Sequence, residues 1–179
     1  MVKSAYSFST KKEKIEHHIF VVWVDNEAGV LARVVGLFSG RGYNIDSLAV
    51  AEVDKKKNIS RITIAKSGTL QVLQQIKLQL GKLVPVHKVA DFPRNEKTIM
   101  REMALLKVVS SVSQLKKAKK ICKKYKYTIL DTTKKSFVLE VAALKNEIDD
   151  LIKKLQPLGL ASASRTGVVA MTKGSEIYK

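Results

Sequence analysis

The chain has 179 residues, enough for one large domain or two small ones, and 45% of them are hydrophobic, as in ordinary globular proteins. No apolar run approaches the roughly 20 residues that a membrane-spanning helix needs, which argues against a helical membrane protein. The single cysteine, Cys122, excludes an intrachain disulfide, and the first residues lack the apolar segment of a secretory signal, so we expect a cytoplasmic protein.

The formal charge of +17 comes from 33 lysines and arginines against 16 aspartates and glutamates. Lysines crowd one segment of the second half: Lys116, Lys117, Lys119, Lys120, Lys123, Lys124 and Lys126. Such a run can contact phosphates or an acidic protein partner. The alternative is a solvated helix face in a chain that is rich in lysine throughout, and the sequence leaves both interpretations open.

Hydrophobic periodicity predicts a basic N-terminal extension over residues 1–17 and a first domain over residues 18–92. The strands of this domain are predicted at about 18–25, 45–53, 59–66 and 83–89, and its helices at about 29–41 and 70–80. The resulting order, βαββαβ, is the ferredoxin-like pattern.

The same order repeats after a predicted linker over residues 93–100, in a second domain over residues 101–179. Its strands are predicted at about 103–112, 127–131, 137–142 and 160–171, and its helices at about 115–125 and 145–155. We therefore expect an α+β protein of two tandem ferredoxin-like domains. Helices are expected on one face of each sheet, so the open faces and edges predict a homodimer or a larger assembly.

The turn between the first strand and the first helix, Asn26 to Gly29, is the strongest candidate for a ligand site. The first amides of a helix have no internal partner, and the helix dipole adds partial positive charge there. Glycine permits close approach to the backbone, and an asparagine side chain offers both a donor and an acceptor. A small carboxylate fits this chemistry. The alternative is that Asn26 only caps the helix and Gly29 only makes the turn.

Catalytic and metal-binding patterns are scarce. The three histidines, His17, His18 and His87, have no spacing that predicts a metal site. Cys122 falls on an apolar helix face and is expected to be a buried, inert thiol. RNA-recognition domains share the βαββαβ order, but their third strand carries stacking aromatics, and residues 59–66 contain none.

Two longer motifs carry a resemblance to a known family. Residues 26–34 and 37–48, from Asn26-Glu27-Ala28-Gly29-Val30-Leu31-Ala32-Arg33-Val34 to Leu37-Phe38-Ser39-Gly40-Arg41-Gly42-Tyr43-Asn44-Ile45-Asp46-Ser47-Leu48, resemble an ACT domain. More narrowly, the chain resembles the regulatory (small) subunit of acetohydroxyacid synthase, also called acetolactate synthase. The agreement resumes at residues 101–108 and 165–174 and covers roughly residues 18–174.

The resemblance implies an N-terminal ACT domain, a ferredoxin-like C-terminal domain and no synthase activity in this chain. Members of the family activate a catalytic subunit, on which thiamine diphosphate, Mg and FAD are expected, and confer feedback inhibition by valine in branched-chain amino-acid biosynthesis. In the family the amino acid lies between two ACT domains of a homodimer.

Carried over residue by residue, the effector-binding residues are Asn26, Gly29, Val30 and Leu31 from one protomer and Asn44 and Ile45 from its neighbour. Lys116, Lys117, Lys119 and Lys120 are possible contacts with the catalytic subunit. A free-standing ACT-type amino-acid sensor and a basic RNA-binding protein are the alternatives.

Overall fold

The computed structural model describes residues 14–93 and 98–175 and contains two four-stranded antiparallel sheets, ordered β2-β3-β1-β4 and β6-β7-β5-β8. In chain order the elements are β1 (Ile15–Asp25), α1 (Val30–Ser39), β2 (Ser47–Asp54), β3 (Ile59–Thr69), α2 (Leu70–Leu80), β4 (Val86–Pro93), β5 (Thr98–Val109), α3 (Val112–Cys122), β6 (Tyr127–Thr132), β7 (Ser136–Ala143), α4 (Lys145–Leu155) and β8 (Leu160–Thr172). The predicted fold, two βαββαβ units in tandem, is confirmed.

Several strands are longer than the periodicity predicted. β1 begins at Ile15, which pairs with Thr69 at the end of β3, so the described end of the predicted N-terminal extension is strand. β5 begins at Thr98, inside the predicted linker, because it pairs there with Thr172 of β8. Residues 1–13 of the extension and 94–97 of the linker lie outside the described residues. The domain boundaries themselves stay predictions.

Each sheet packs its helices against one face, as the sequence predicted. In the first unit, alternate residues of β1 and β3 face α1 and α2, and the fully buried members of this core are Phe20, Val22, Val24, Val34, Phe38, Ile62, Ile64, Leu73, Ile76 and Leu80. In the second unit, α3 and α4 cover alternate residues of β5 and β7, with Leu106, Phe137, Leu139, Ile148, Leu151 and Leu155 fully buried. At each core, every second residue of a strand packs against the helix residues that recur every three or four positions.

The other face of the first sheet is partly covered from within the chain, which the sequence did not predict. The start of β5 and the end of β8 form a two-stranded ribbon that crosses this face. Val168 and Ala170 of the ribbon pack on Ile19 and Val21 of β1, together with Ala90 and Phe92 of β4. The ribbon also reaches β2 and β3, where the Val168 amide donates to Ser47 Oγ at 3.3 Å and Thr63 is 4% exposed. The end of β2, residues 50–53, stays exposed. The sequence analysis expected a homodimer or larger assembly to cover this face. The apolar surface left for such an assembly is smaller than expected, because the ribbon covers part of the face.

A buried ion pair lies where the ribbon joins the second sheet. Glu102 of β5 is 3% exposed, and Arg165 of β8 donates to its two carboxylate oxygens from Nε and Nη2, each at 2.7 Å. Arg165 Nη1 also donates to Asp149 Oδ1 of α4 at 2.6 Å. These bonds, with Glu102 the larger contributor, raise the pKa of Arg165 above its ordinary value. The arginine therefore ties two strands and a helix together beside the crossing point.

We expect Arg165→Met to lower the free energy of unfolding by about 2–3 kcal/mol, because it leaves the Glu102 carboxylate buried without a partner. Urea denaturation of the full chain measures the change. The double variant Glu102→Gln/Arg165→Met is the control, and we expect it to recover most of the loss since the uncompensated charge is gone. A single variant as stable as the wild type would contradict a structural role for the pair.

Candidate functional site

The turn between β1 and α1 has the shape that the sequence predicted but a different cap. Gly29 is the N-cap residue, with φ at +84° in the left-handed region, and no side chain caps the helix. Apart from Gly29 and its two chain neighbours, no heavy atom of the described residues lies within 4 Å of the position a Cβ would take on Gly29. Asn26 lies three residues before the cap, so the interpretation that Asn26 only caps α1 is wrong. The glycine is required for its backbone conformation and leaves open space beside it.

The amides of the first turn of α1 are largely free. The Val30 amide makes a long contact of 3.4 Å with the Glu27 carbonyl, and the Arg33 amide bonds to the Gly29 carbonyl at 3.0 Å. In the part of the chain that the structure describes, the Leu31 and Ala32 amides have no backbone acceptor. Free donors at the positive end of a helix dipole favour a bound anion.

Residues of β2, of β3 and of the turn between them hold Asn26 in place. The Asn26 amide donates to the Asn58 carbonyl at 2.7 Å, and the Asn58 side chain donates back to the Asn26 carbonyl at 3.1 Å. Ser60 Oγ donates to Asn26 Oδ1 at 2.9 Å, so the oxygen of the carboxamide is used internally. Asn26 Nδ2 makes only a long contact of 3.4 Å, with Glu52 Oε1. The side-chain nitrogen Nδ2 is therefore the group that Asn26 can offer to a ligand.

Sequence reasoning missed Glu52, Asn58 and Ser60 as neighbours of this turn. Asn58 has φ at +53°, which is uncommon outside glycine and is typical of a tight turn. The exposed Glu52 carboxylate adds negative charge beside the Asn26 side chain. Amide donors together with the Glu52 carboxylate suit a ligand that carries both a carboxylate and an ammonium group.

Two of the other predicted residues differ in what they offer. The Val30 side chain is 3% exposed and belongs to the core, so only its backbone can face a ligand. Leu31 is 42% exposed, and Val35, one helical turn later, is 37% exposed. The two form an apolar strip on the outer side of α1. Such a strip is a surface that a second protein chain or an aliphatic ligand can cover.

Asn44 and Ile45 lie at the opposite end of the sheet from Asn26 and Gly29. Ser47 at the start of β2 pairs with Ala65, and Ala65 also pairs with Ile19 of β1. Ile19 is six residues before Asp25, which corresponds to about 20 Å of strand. One protomer therefore does not bring the two halves of the predicted site together. Asn44 is exposed, and Ile45 packs partly against the core and lies in the turn that precedes β2.

The lysine-rich segment is a helix, as predicted, with Leu115, Ala118 and Cys122 buried. Lys116, Lys117 and Lys120 are exposed. Lys119 is half-buried: its Nζ donates to Thr132 Oγ1 at 3.3 Å and lies 5.4 Å from the centre of the Phe137 ring. Three of the four predicted contact lysines are thus presented to solvent, whereas Lys119 is engaged with its own domain.

The cysteine and two of the histidines considered in the sequence analysis are explained by their surroundings in the fold. Burial raises the pKa of the Cys122 thiol to about 11, so the thiolate is nearly absent at neutral pH. His18 Nδ1 lies 2.7 Å from Asp91 Oδ1, and His87 Nε2 lies 2.6 Å from Asp25 Oδ1. Within residues 14–93 and 98–175, no group of three or more His, Cys, Asp or Glu side chains has the arrangement of a metal site. In the same ranges, no helix is long and apolar enough to cross a membrane.

Comparison with known proteins points to a single family for both halves. Residues 20–88 match the family model described as AHAS small subunit-like ACT domain, and residues 101–174 match the model for the small subunit of acetolactate synthase. The acetolactate synthase small subunit of Aquifex aeolicus is 35% identical over 168 residues, 93% of this chain and 86% of that protein. The corresponding protein of Haemophilus influenzae is 37% identical over 159 residues, 88% of this chain and 96% of that one.

A solved structure supports the same grouping. The crystal structure of the acetolactate synthase small subunit from Thermotoga maritima aligns with a TM-score of 0.80 at 30% sequence identity, over 89% of this chain and 99% of that one. Sequence and fold therefore agree over both sheets, and the resemblance seen in the motifs extends along nearly the whole described chain.

Proposed function

Because this chain belongs to the acetolactate synthase small-subunit family, which makes it a regulatory subunit with an ACT domain, we propose that it activates the catalytic subunit and renders it sensitive to valine. The catalytic subunit is expected to hold the thiamine diphosphate, Mg and FAD. The observation that carries the proposal is the exposed corner at Asn26 and Gly29, where the Leu31 and Ala32 amides have no backbone acceptor and Asn26 Nδ2 makes only a long contact.

The head group of valine is matched by groups of both signs at this corner. Its carboxylate would accept bonds from the Leu31 and Ala32 amides and from Asn26 Nδ2. Bonds of this charge-assisted kind stabilise by about 1.5–3 kcal/mol each. The Glu52 carboxylate lies on the side where an ammonium group would be attracted. The isopropyl group would lie against Leu31, which is exposed and apolar.

A homodimer would supply Asn44 and Ile45 from the second chain. β2 is at the edge of its sheet, so its outer side is open to pairing. A two-fold axis perpendicular to the sheet would bring two β2 strands together antiparallel. The start of the partner strand would then lie beside the end of this one, next to Asn26. The two parts of the site, which lie far apart within one protomer, would therefore come together across the interface.

A site shared by two chains couples ligand binding to their arrangement. Valine would bind only the arrangement in which both halves meet, and so it would shift the population toward that arrangement. A coupling of about 1–3 kcal/mol is typical of such effectors and suffices for a useful response. We place the contact with the catalytic subunit on the α3 surface formed by Lys116, Lys117 and Lys120, where exposed positive charge favours an acidic patch.

Gly29→Asp should abolish valine inhibition while leaving activation of the catalytic subunit in place, because its carboxylate would occupy the position of the ligand's carboxylate. We expect the inhibitory valine concentration to rise at least tenfold, consistent with the loss of one charge-assisted bond. Acetolactate formation by the reconstituted complex measures both effects. Gly29→Asn is the matched control: asparagine tolerates positive φ and adds no charge, so we expect a smaller change. Equal effects of the two variants would indicate backbone strain instead.

Mixing two variants tests whether the site is shared between chains. Asn44→Ala alone should weaken valine binding about twofold to tenfold, as for a lost neutral hydrogen bond. A dimer of one Gly29→Asp chain and one Asn44→Ala chain contains one fully intact site. An equal mixture should therefore recover wild-type affinity at about a quarter of all sites, since half of the dimers are mixed. Calorimetry with valine reads this out. No recovery would mean that each site lies within one chain.

Charge reversal tests the proposed contact on α3. The triple variant Lys116→Glu, Lys117→Glu, Lys120→Glu should lower the affinity for the catalytic subunit at least tenfold and weaken activation, most strongly at low salt. A control with the same change in charge reverses Lys77, Lys82 and Lys173, which are exposed elsewhere. Comparable losses in both triple variants would show that net charge matters and the α3 surface does not.

A further inference from the structure

A cavity lies on the face of the first sheet opposite the helices. It is a groove of about 300 Å³ between the β5–β8 ribbon and strands β2 and β3. Ala49, Ala51 and Thr63 form part of the floor, and Ile99, Val169 and Met171 form part of the wall. Ile99, Val169 and Met171 are between 43% and 61% exposed. The groove is therefore apolar and open on one side. It is separate from the corner at Asn26, whose free amides belong to α1 on the helix side of the sheet.

Arg61 lies in this groove and is held by uncharged groups. Its Nη2 donates to the Ala170 carbonyl at 2.5 Å, and its guanidinium carbon lies 5.6 Å from the centre of the Trp23 ring. Its Nε is buried and has no acceptor among the residues that the structure describes. No carboxylate of the described residues is within ion-pair distance of Arg61. Burial lowers the pKa of this arginine, which reflects the cost of holding its charge there.

The remaining charge in the groove has the same sign. Arg101 also lines it and donates to a carbonyl, that of Met100, at 2.9 Å. None of the lining residues is an aspartate or a glutamate. A buried or half-buried cation without a counterion is costly, and an anion that enters the groove removes part of this cost. The apolar floor and wall favour an anion with an aliphatic body over a fully hydrated one such as phosphate.

We propose that this groove binds a small aliphatic carboxylate that carries no amino group, such as a 2-oxo acid or a short branched fatty acid. The carboxylate would pair with the guanidinium groups of Arg61 and Arg101, and the hydrocarbon part would lie on Ala49, Ala51 and Val169. An amino acid is a poorer match, because its ammonium group would meet two cations and no anion. The ligand class therefore differs from that proposed for the corner at Asn26.

Backbone amide NMR of the full chain tests the proposal with 4-methylpentanoate as the probe. We expect binding in about the millimolar range, as for a ligand of eight heavy atoms. Shift changes should center on Ala49, Ala51, Arg61 and Val169. The amine 3-methylbutan-1-amine, which reverses the charge, should cause none of these changes. Valine should shift amides near Gly29 and leave those of Arg61 and Val169, which lie outside the proposed β2 interface, unchanged.

Two variants make the result specific. Arg61→Met should weaken binding of 4-methylpentanoate at least tenfold, which corresponds to the loss of a charge-assisted bond. Ala51→Phe should weaken it similarly by filling the floor, and it leaves both arginines intact if Arg61→Met fails to fold. Lys107→Gln, an exposed lysine of β5 outside the groove, is the control and should bind like the wild type.

Three outcomes would overturn the proposal. The first is that the amine binds as tightly as the carboxylate. The second is that the probe shifts only the amides of the corner, which would assign the carboxylate to the valine site. The third is that both groove variants fold and impair association with the catalytic subunit, while 4-methylpentanoate causes no shift in the wild type. In that case the groove is a protein interface. None of these results depends on whether valine regulates the complex.

Discussion

The burial of β1 on both faces is the constraint on which the rest of the structure depends. Phe20 and Val22 face the helices, whereas Ile19 and Val21 face the ribbon from the second sheet. Each buried aliphatic or aromatic side chain of this kind stabilises the fold by about 1.5–3 kcal/mol. A strand enclosed in this way has to leave the sheet abruptly at its end. The left-handed turn at Gly29 provides that exit and places the first turn of α1, with its free amides, at the end of this central strand.

Strand direction explains why the candidate effector site is incomplete in one chain. β1 and β2 both pair antiparallel with β3, so they run parallel to each other, and the end of one lies far from the start of the other. Asn26 follows β1 and Asn44 precedes β2, which separates them by the length of the strand. A site built from both requires two chains, and a requirement for two chains is what allows a small effector to act on an assembly.

Two arginines illustrate how the same residue type serves different ends. Arg165 is neutralised by Glu102 and Asp149, and its removal is expected to affect stability. Arg61 is held by a carbonyl and an indole ring, and its charge is not matched within its groove. A matched buried charge is part of the architecture, whereas an unmatched one next to an open cavity is a reason to look for a ligand.

The sequence alone determined the order of elements, the family and the position of the turn, because hydrophobic period, glycine placement and contiguous motifs are local properties. Periodicity placed α4 at Lys145–Leu155, where the structure has it. Only the tertiary structure decided how far β1 and β5 extend, where the ribbon covers the first sheet, and which side chains surround Asn26. These features depend on pairing between residues distant in the chain, such as Glu102 with Arg165 and Ser60 with Asn26. A local pattern carries no information about which surfaces meet, and so the same sequence that identified the corner could not reveal the groove on the other face of the sheet.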